Sequence, residues 1–336
     1  MDNEINKIKS IEIKSLWGRY DLKWDLNPDV NILSGINGSG KSTILESVAE
    51  FLKSDKISEK CYLNIKKVEV SFYDREDAVY EHFMINDTIG EIFEKANTDS
   101  RYREILKHKV KPVIGNKIDL SHLVNGWINL SYGSRTDDLN IDFISTFDNE
   151  ILEVGKRPDE NVKSELDRDI FKLQKLYLDY QLNIGKRKDL AVEKEEKPRE
   201  AVDKIKFPQN RFLDIIDLLF VETGKKIDRT KNEIVFNIGE KEITPYQLSS
   251  GEKQILVILL TVLIQDNKPS IMFMDEPEIS LHFDWQKKLI GYILELNPNV
   301  QIILATHSPA LVLEGWRDKV KEVRDLIVFD KLAPKK

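Results

Sequence analysis

An α/β fold, with a mainly parallel core sheet, an antiparallel β subdomain and a helical insert, is what this 336-residue sequence predicts. Three observations carry it. Short apolar runs at 30–33, 270–274 and 300–304 read as strands buried on both faces, with amphipathic helical stretches beside them. That is how a parallel sheet covered by helices reads. In the first half of the chain apolar and polar residues alternate repeatedly, the period of half-buried antiparallel strands. Between 159 and 184 the period lengthens to three or four residues, which is helical.

Taken in order, Ile11 and Ile13 alternate with polar neighbours, as do Leu22, Trp24 and Leu26, and Asn27-Pro28-Asp29 punctuates the turn that follows. The apolar strand Val30 to Leu33 runs into a glycine-rich loop. A helix then spans 42–52, with Ile44, Leu45, Val48 and Phe51 on one face. Val68, Val70 and Phe72 mark a strand, as do Ile128, Leu130 and Tyr132, then Leu139, Ile141 and Phe143. Residues 88–109 form a helix candidate. Val162, Leu166, Ile170, Leu173, Tyr177 and Tyr180 make the stripe of a long helix. The charged stretch 189–200 reads as a solvated turn or mobile segment, and 212–220 as a helix with Pro208 at its start or at a break just before it. A strand at Ile234, Phe236 and Ile238 precedes a helix over 251–265. A last helix carries Trp285, Leu289, Ile293 and Leu296 between the two buried strands. The implied organisation is an N-terminal lobe over 1–150, a helical insert over 151–225 and a C-terminal lobe over 226–336. No repeat or low-complexity tract interrupts it.

A hydrophobic fraction of 41% beside 32% charged residues is enough for a sizeable core under a well-charged surface. With 51 basic and 58 acidic residues the net charge is −7, so nothing attracts nucleic acid globally. The single cysteine, Cys61, excludes an internal disulfide and any paired-cysteine metal site, which suits a reducing compartment. The polar N-terminus has no signal-peptide character. The longest apolar run, 255–264 with Thr261 inside it, falls short of the roughly 20 residues that span a bilayer. A cytoplasmic protein without membrane contact is the expectation.

Four short motifs carry chemistry. Gly35-Ile36-Asn37-Gly38-Ser39-Gly40-Lys41-Ser42-Thr43 fits the phosphate-binding pattern G-x-x-x-x-G-K-[ST]. Its glycines let successive backbone N–H groups wrap phosphates, and the helix start beneath adds partial positive charge. Lys41 is expected to reach the β- and γ-phosphates of ATP, and the Ser42 hydroxyl to ligate Mg²⁺. Asp275-Glu276 ends the apolar strand 271–274. Asp275 suits a water-mediated contact to Mg²⁺ and Glu276 the role of general base toward water, although a carboxylate pair at a helix start reads similarly. Ser249-Ser250-Gly251-Glu252 opens the next helix, by itself an ordinary N-cap and in company a second oxyanion cradle. His307, just after the second buried strand, can hydrogen-bond a γ-phosphate or an attacking water, where a lone histidine would be a satisfied cap.

In this order the four motifs resemble those of the ABC-ATPase superfamily, whose P-loop head has the fold outlined above. Leu248 to Glu252 is similar to its signature, Met272 to Pro277 to its Walker B strand, and His307 to its switch histidine. The run Asp275-Glu276-Pro277-Glu278-Ile279-Ser280-Leu281-His282 most resembles the stand-alone SMC-like and RecF-like ATPases of bacterial defence modules, including the OLD, Septu and retron-associated types; transporter subunits usually carry aspartate where His282 stands. The resemblance implies that Ser249, Ser250, Gly251 and Glu252 of one protomer serve the ATP held by the other's Lys41 loop, in a head-to-tail homodimer. It also implies control of a separately encoded effector such as a nuclease in anti-phage defence. Other readings are an ATP-stabilised scaffold with little turnover and an SMC/RecF-like DNA-repair ATPase. The family's glutamine after the strand preceding the insert has no counterpart at Ile144-Ser145-Thr146-Phe147-Asp148, so no glutamine ligand is assigned. The insert is too short for an SMC coiled coil, and no nuclease domain fits after His307. Arg19 is a candidate nucleotide contact by the same resemblance.

Two basic stretches could touch the phosphates of DNA or RNA: Arg103, Lys107, His108, Lys109, Lys111 and Lys117, and Lys186-Arg187-Lys188. Runs of this kind are also ordinary solvated faces. Trp17 and Tyr20 read as packing residues rather than base-stacking ones.

Overall fold

The computed structural model describes residues 7–54, 65–73, 77–85, 98–99, 111–113, 117–119, 126–133, 139–145, 159–195 and 197–332. Cys61, the helix candidate over 88–109 apart from Thr98 and Asp99, the cluster Arg103, Lys107, His108 and Lys109, and the stretch 146–148 lie outside them.

In chain order the strands are β1 (Ile8–Leu16), β2 (Tyr20–Asp25), β3 (Val30–Ser34), β4 (Lys67–Phe72), β5 (Ala78–Ile85), β6 (Lys111–Val113), β7 (Lys117–Asp119), β8 (Gly126–Gly133), β9 (Ile141–Ser145), β10 (Lys225–Ile227), β11 (Phe236–Ile238), β12 (Lys241–Ile243), β13 (Ser270–Asp275), β14 (Val300–Ala305), β15 (Val320–Glu322) and β16 (Ile327–Asp330). The helices are α1 (Lys41–Ser54), α2 (Glu165–Lys194), α3 (Pro198–Leu219), α4 (Ser250–Ile264), α5 (Phe283–Leu296), α6 (Pro309–Leu313) and α7 (Val323–Leu326). They fall into two compact units, one of 1–28, 35–141 and 321–336, the other of 29–34 and 142–320.

The first unit is built on a six-stranded sheet in the order β16-β2-β1-β4-β5-β8, antiparallel throughout. Its pattern is the alternation read from the sequence. Ile11, Ile13, Leu22, Trp24, Val68 and Val70 are buried, while Glu12 and Lys23 pair on the other face. Near its end β1 breaks register between Ile13 and Leu16, where Ser15 and Trp17 take positive φ values of 58° and 55°. The short pair β6–β7, which carries Lys111 and Lys117, is separate.

The five-stranded sheet β15-β3-β14-β13-β9 has its three central strands in the second unit. β3, β14 and β13 run parallel, with Ala305 beside Leu33 on one side and Asp275 on the other. Every residue of β13 and β14 is buried, which is why both read as unbroken apolar runs. Their C-terminal ends are level, so the turns that follow leave the sheet side by side. α4 is apolar nearly all round and buried along most of its length, the mark of a core helix rather than a surface one. Phe220 packs its ring against Phe236 at 5.5 Å and Trp285 at 5.8 Å between centroids. Burying each such side chain contributes about 1.5–3 kcal/mol.

The helical insert differs from its sequence reading. α2 continues to Lys194, through residues expected to form a turn. Leu190, Ala191, Glu193 and Lys194 are good helix formers without an apolar stripe, so propensity and the packing of α3 against α2 sustain a helix that periodicity does not announce. α3 begins at Pro198, and Pro208 lies inside it. An interior proline costs a helix about 3 kcal/mol; burial of Phe212, Ile215, Ile216 and Leu219 offsets it. Arg187 pairs with Asp266 at 2.8 Å. No helix of the described residues is long and apolar enough to cross a membrane.

Candidate functional site

The chain leaves β3 through residues 35–40, which belong to the first unit, and enters α1 at Lys41. Gly38 and Gly40 have φ values of 76° and 101°, conformations that cost a residue with a Cβ but not glycine. At Gly40 a Cβ would also press on the Trp17 ring, 2.7 Å from its nearest carbon. The Lys41 side chain is almost wholly buried. Its ammonium folds back over its own loop, 3.2 Å from the Gly35 carbonyl oxygen and 3.5 Å from that of Ile36. The first turn of α1 has no acidic residue, so nothing of its own sign competes with an anion for the positive end of the helix. Asn37 and Gly38 are exposed, Ser39 is half-buried with its hydroxyl oxygen turned inward, and Ser42 and Thr43 lie on the first helical turn. Arg19, the candidate nucleotide contact, makes a bidentate pair with Asp330, both bonds 2.8 Å, and lies over the Tyr20 ring. That partner lowers its availability to a ligand. Trp17 and Tyr20 meet edge to face, the packing role read from the sequence.

In the second unit, β13 delivers a buried Asp275 at its tip. Glu276 follows with φ of 50°, a left-handed conformation that costs a non-glycine residue roughly 1–2 kcal/mol. Its amide donates to the Ala305 carbonyl across the parallel pair at 2.9 Å. This turn brings the Glu276 carboxylate to His307: Oε1 lies 3.4 Å from Nε2, and Oε2 accepts from the His307 amide at 3.3 Å. The predicted base and the predicted switch histidine are therefore neighbours.

A residue not singled out from the sequence organises this turn. Glu278, nearly buried, accepts through Oε1 from the Thr306 hydroxyl, from the His307 amide at 3.0 Å and from the Ser308 amide at 3.1 Å. Only its place two residues beyond Glu276 hints at a role.

The Ser249 cradle is a capping box. Ser249 Oγ accepts from the Glu252 amide, and Glu252 Oε2 accepts from the Ser249 amide at 2.9 Å. Glu252 is almost fully buried and also accepts from Lys225 at 2.7 Å and Thr223 at 2.9 Å. Burial pushes its carboxyl up, but Lys225, the Ser249 amide and the two hydroxyls outweigh that and hold it below the usual glutamate range. Ser249 and Ser250 are exposed. Gly251 has no room for a side chain, because a Cβ there would fall inside the contact shell of the Ser280 carbonyl oxygen. The cradle is thus held against the loop that follows Asp275. Among the described residues no three His, Cys, Asp or Glu side chains cluster as a metal cage. Ser42 in the first unit offers a hydroxyl and Asp275 in the second a carboxylate, each the hard oxygen donor that Mg²⁺ takes.

A family model described as "AAA domain, putative AbiEii toxin, Type IV TA system" matches residues 30–314. The chain belongs to this AAA family. The match runs from the phosphate loop through the Ser249 cradle and Asp275 to His307, so the resemblance carried by four motifs extends over most of the chain. This AAA protein is similar to the Retron Vc95 probable ATPase of Vibrio cholerae serotype O1 biovar El Tor, 29% identical over 126 residues, or 37% of this chain and 23% of that protein. It is also similar to the Septu protein PtuA of Bacillus thuringiensis, 24% identical over 323 residues, or 91% of this chain and 72% of that one. The AAA chain thus spans less than a quarter of the retron protein and under three quarters of PtuA. Among solved structures it is similar to the SMC head domain from Thermotoga maritima, with a TM-score of 0.48, 15% identity and coverage of 98% of this chain and 99% of that one.

Proposed function

We propose that this chain binds and hydrolyses ATP·Mg²⁺ as a head-to-tail dimer and uses the nucleotide state to control an effector. The observation that carries the reading is the loop at 35–43: left-handed glycines, a buried Lys41 ammonium directed at the loop's own carbonyls, and an acid-free helix start. Phosphate oxygens are the acceptors that such a lysine exchanges those carbonyls for. Lys41 then reaches the β- and γ-phosphates; Ser42, with Asp275 through water, would hold Mg²⁺, which would offset the charge on those phosphates. Glu276 takes a proton from water as the water oxygen bonds to the γ-phosphorus, and the bond to the β–γ bridging oxygen breaks, releasing ADP and phosphate. His307 hydrogen-bonds the γ-phosphate or that water. The exposed Ser249 and Ser250, with Gly251, cover the γ-phosphate bound to the other copy, so loss of that phosphate loosens the pair.

Similarity to a retron ATPase and to PtuA supports a defence role, with a separately encoded nuclease as the effector. The protein acts in the cytoplasm. The deciding experiment compares wild type with Glu276→Gln. Wild type should release phosphate from ATP with Mg²⁺, and the variant should release almost none and sediment as a stable dimer. A variant that stays monomeric at saturating ATP, or a chain that binds no nucleotide, overturns the reading.

A further inference from the structure

We infer that Glu278 is a positioning residue for hydrolysis: it clamps the turn after β14 so that the His307 ring stands at the Glu276 carboxylate. The inference rests on the proposed ATPase reading and assigns a role that the four motifs leave open.

The parallel register sets the stage. With Asp275 level with Ala305, the segments 276–282 and 306–308 emerge together, and the second carries consecutive amides at its start. Glu278 Oε1 gathers the Thr306 hydroxyl and the His307 and Ser308 amides on one oxygen. The Thr306 hydroxyl in turn accepts from the Ser308 amide at 2.8 Å. Ser308 Oγ donates to Gln286 Oε1 at 2.6 Å, and Gln286 Nε2 donates to the carbonyls of Leu281, at 2.9 Å, and Glu278, at 3.4 Å. The ring of bonds closes on itself. It fixes residues 306–308 relative to 276–282 from both ends.

Glu278 and Thr306 are both nearly buried, so water cannot readily take over these bonds. The three donors are all neutral, so the carboxylate is not spent on an ion pair. Its charge strengthens every bond it accepts. The His307 amide is shared between Glu278 at 3.0 Å and Glu276 at 3.3 Å. Through that shared N–H the clamp reaches the base directly: if the turn slides, the ring and amide of His307 leave Glu276 together. Displacing a catalytic group by about 1 Å costs on the order of a hundredfold in rate.

The test uses the full chain in five forms: wild type, Glu278→Ala, Glu278→Gln, His307→Ala and Glu278→Ala/His307→Ala. Glutamine keeps an acceptor oxygen where Oε1 stands. Glu278→Ala should lower kcat for phosphate release on the order of a hundredfold while leaving the affinity for ATP·Mg²⁺ unchanged. Glu278→Gln should restore most of that loss. Adding Glu278→Ala to His307→Ala should cost much less than it costs in wild type, because the larger part of the clamp's effect passes through the His307 ring and only the shared amide remains. Amide hydrogen exchange over 306–308 should accelerate in Glu278→Ala and not in Glu278→Gln. Fully additive losses, or unchanged exchange in Glu278→Ala, overturn the clamp. Should the alanine variant fail to fold, Thr306→Val removes one donor at constant volume, and it must still lower kcat and loosen exchange. A wild type that releases no phosphate defeats the ATPase reading instead. Exchange then decides the clamp alone, with faster exchange in Glu278→Ala supporting it and unchanged exchange overturning it.

Discussion

Lys253 Nζ lies 2.7 Å from Asp167 Oδ1, with both side chains largely buried. Asp167 closes the capping box at the start of α2, where its other oxygen accepts from the Ser164 and Lys163 amides. Lys253 stands in the first turns of α4, next to Glu252. One ion pair therefore joins the start of the helical insert to the helix that presents Ser249 and Ser250. Removing one member of a buried pair leaves the other's charge uncompensated, at about 3–5 kcal/mol. Lys253→Met should lose that much stability in denaturant unfolding, and Lys253→Met/Asp167→Leu should recover part of it.

Acid should weaken the Ser249 cradle. The Glu252 carboxyl is depressed when folded, so its contribution is fully present above the ordinary glutamate value near 4.5 and is lost as pH falls through the depressed folded value. Unfolding free energy measured from neutral pH into acid should decline over that window. In Glu252→Gln it should begin lower, because the Lys225 charge is left without its partner, and that part of the decline should be absent.

Gly251→Ala reverses the usual preference. In an open helix the change stabilises by about 0.5–1 kcal/mol. Here the added methyl group meets the Ser280 carbonyl, and Ser280 is itself held at φ of 69° and has little freedom to withdraw. A net loss of about 1–3 kcal/mol is expected, readable in thermal unfolding, together with weaker ATP-dependent association of Glu276→Gln carrying the same change.

Lys41→Ala should abolish the rise in unfolding temperature that ATP·Mg²⁺ produces in wild type, since a ligand stabilises only the state it binds. An undiminished shift in the variant would remove Lys41 from the nucleotide site.

Features encoded in contiguous residues are legible in the sequence itself. The apolar runs of β13 and β14, the glycine loop before Lys41 and the Ser249-to-Glu252 cap each depend on neighbours in the chain, and composition and spacing report them directly. The α2–α3 hairpin was only half legible. Its first part carries an apolar stripe, whereas beyond Lys188 helix-forming residues are held by a partner helix that periodicity cannot see.

The sequence alone determined the class of fold, the order of the four motifs and the chemistry proposed for each, because hydrophobic period and local backbone demands are written in adjacent residues. Only the tertiary structure decided which side chains meet: Glu276 with His307, Glu278 with the amides beyond β14, Lys253 with Asp167, Gly251 with Ser280. Those meetings follow from strand register and helix packing between residues far apart in the chain, and a one-residue change in the pairing of β13 with β14 would dissolve the first two without altering a single motif.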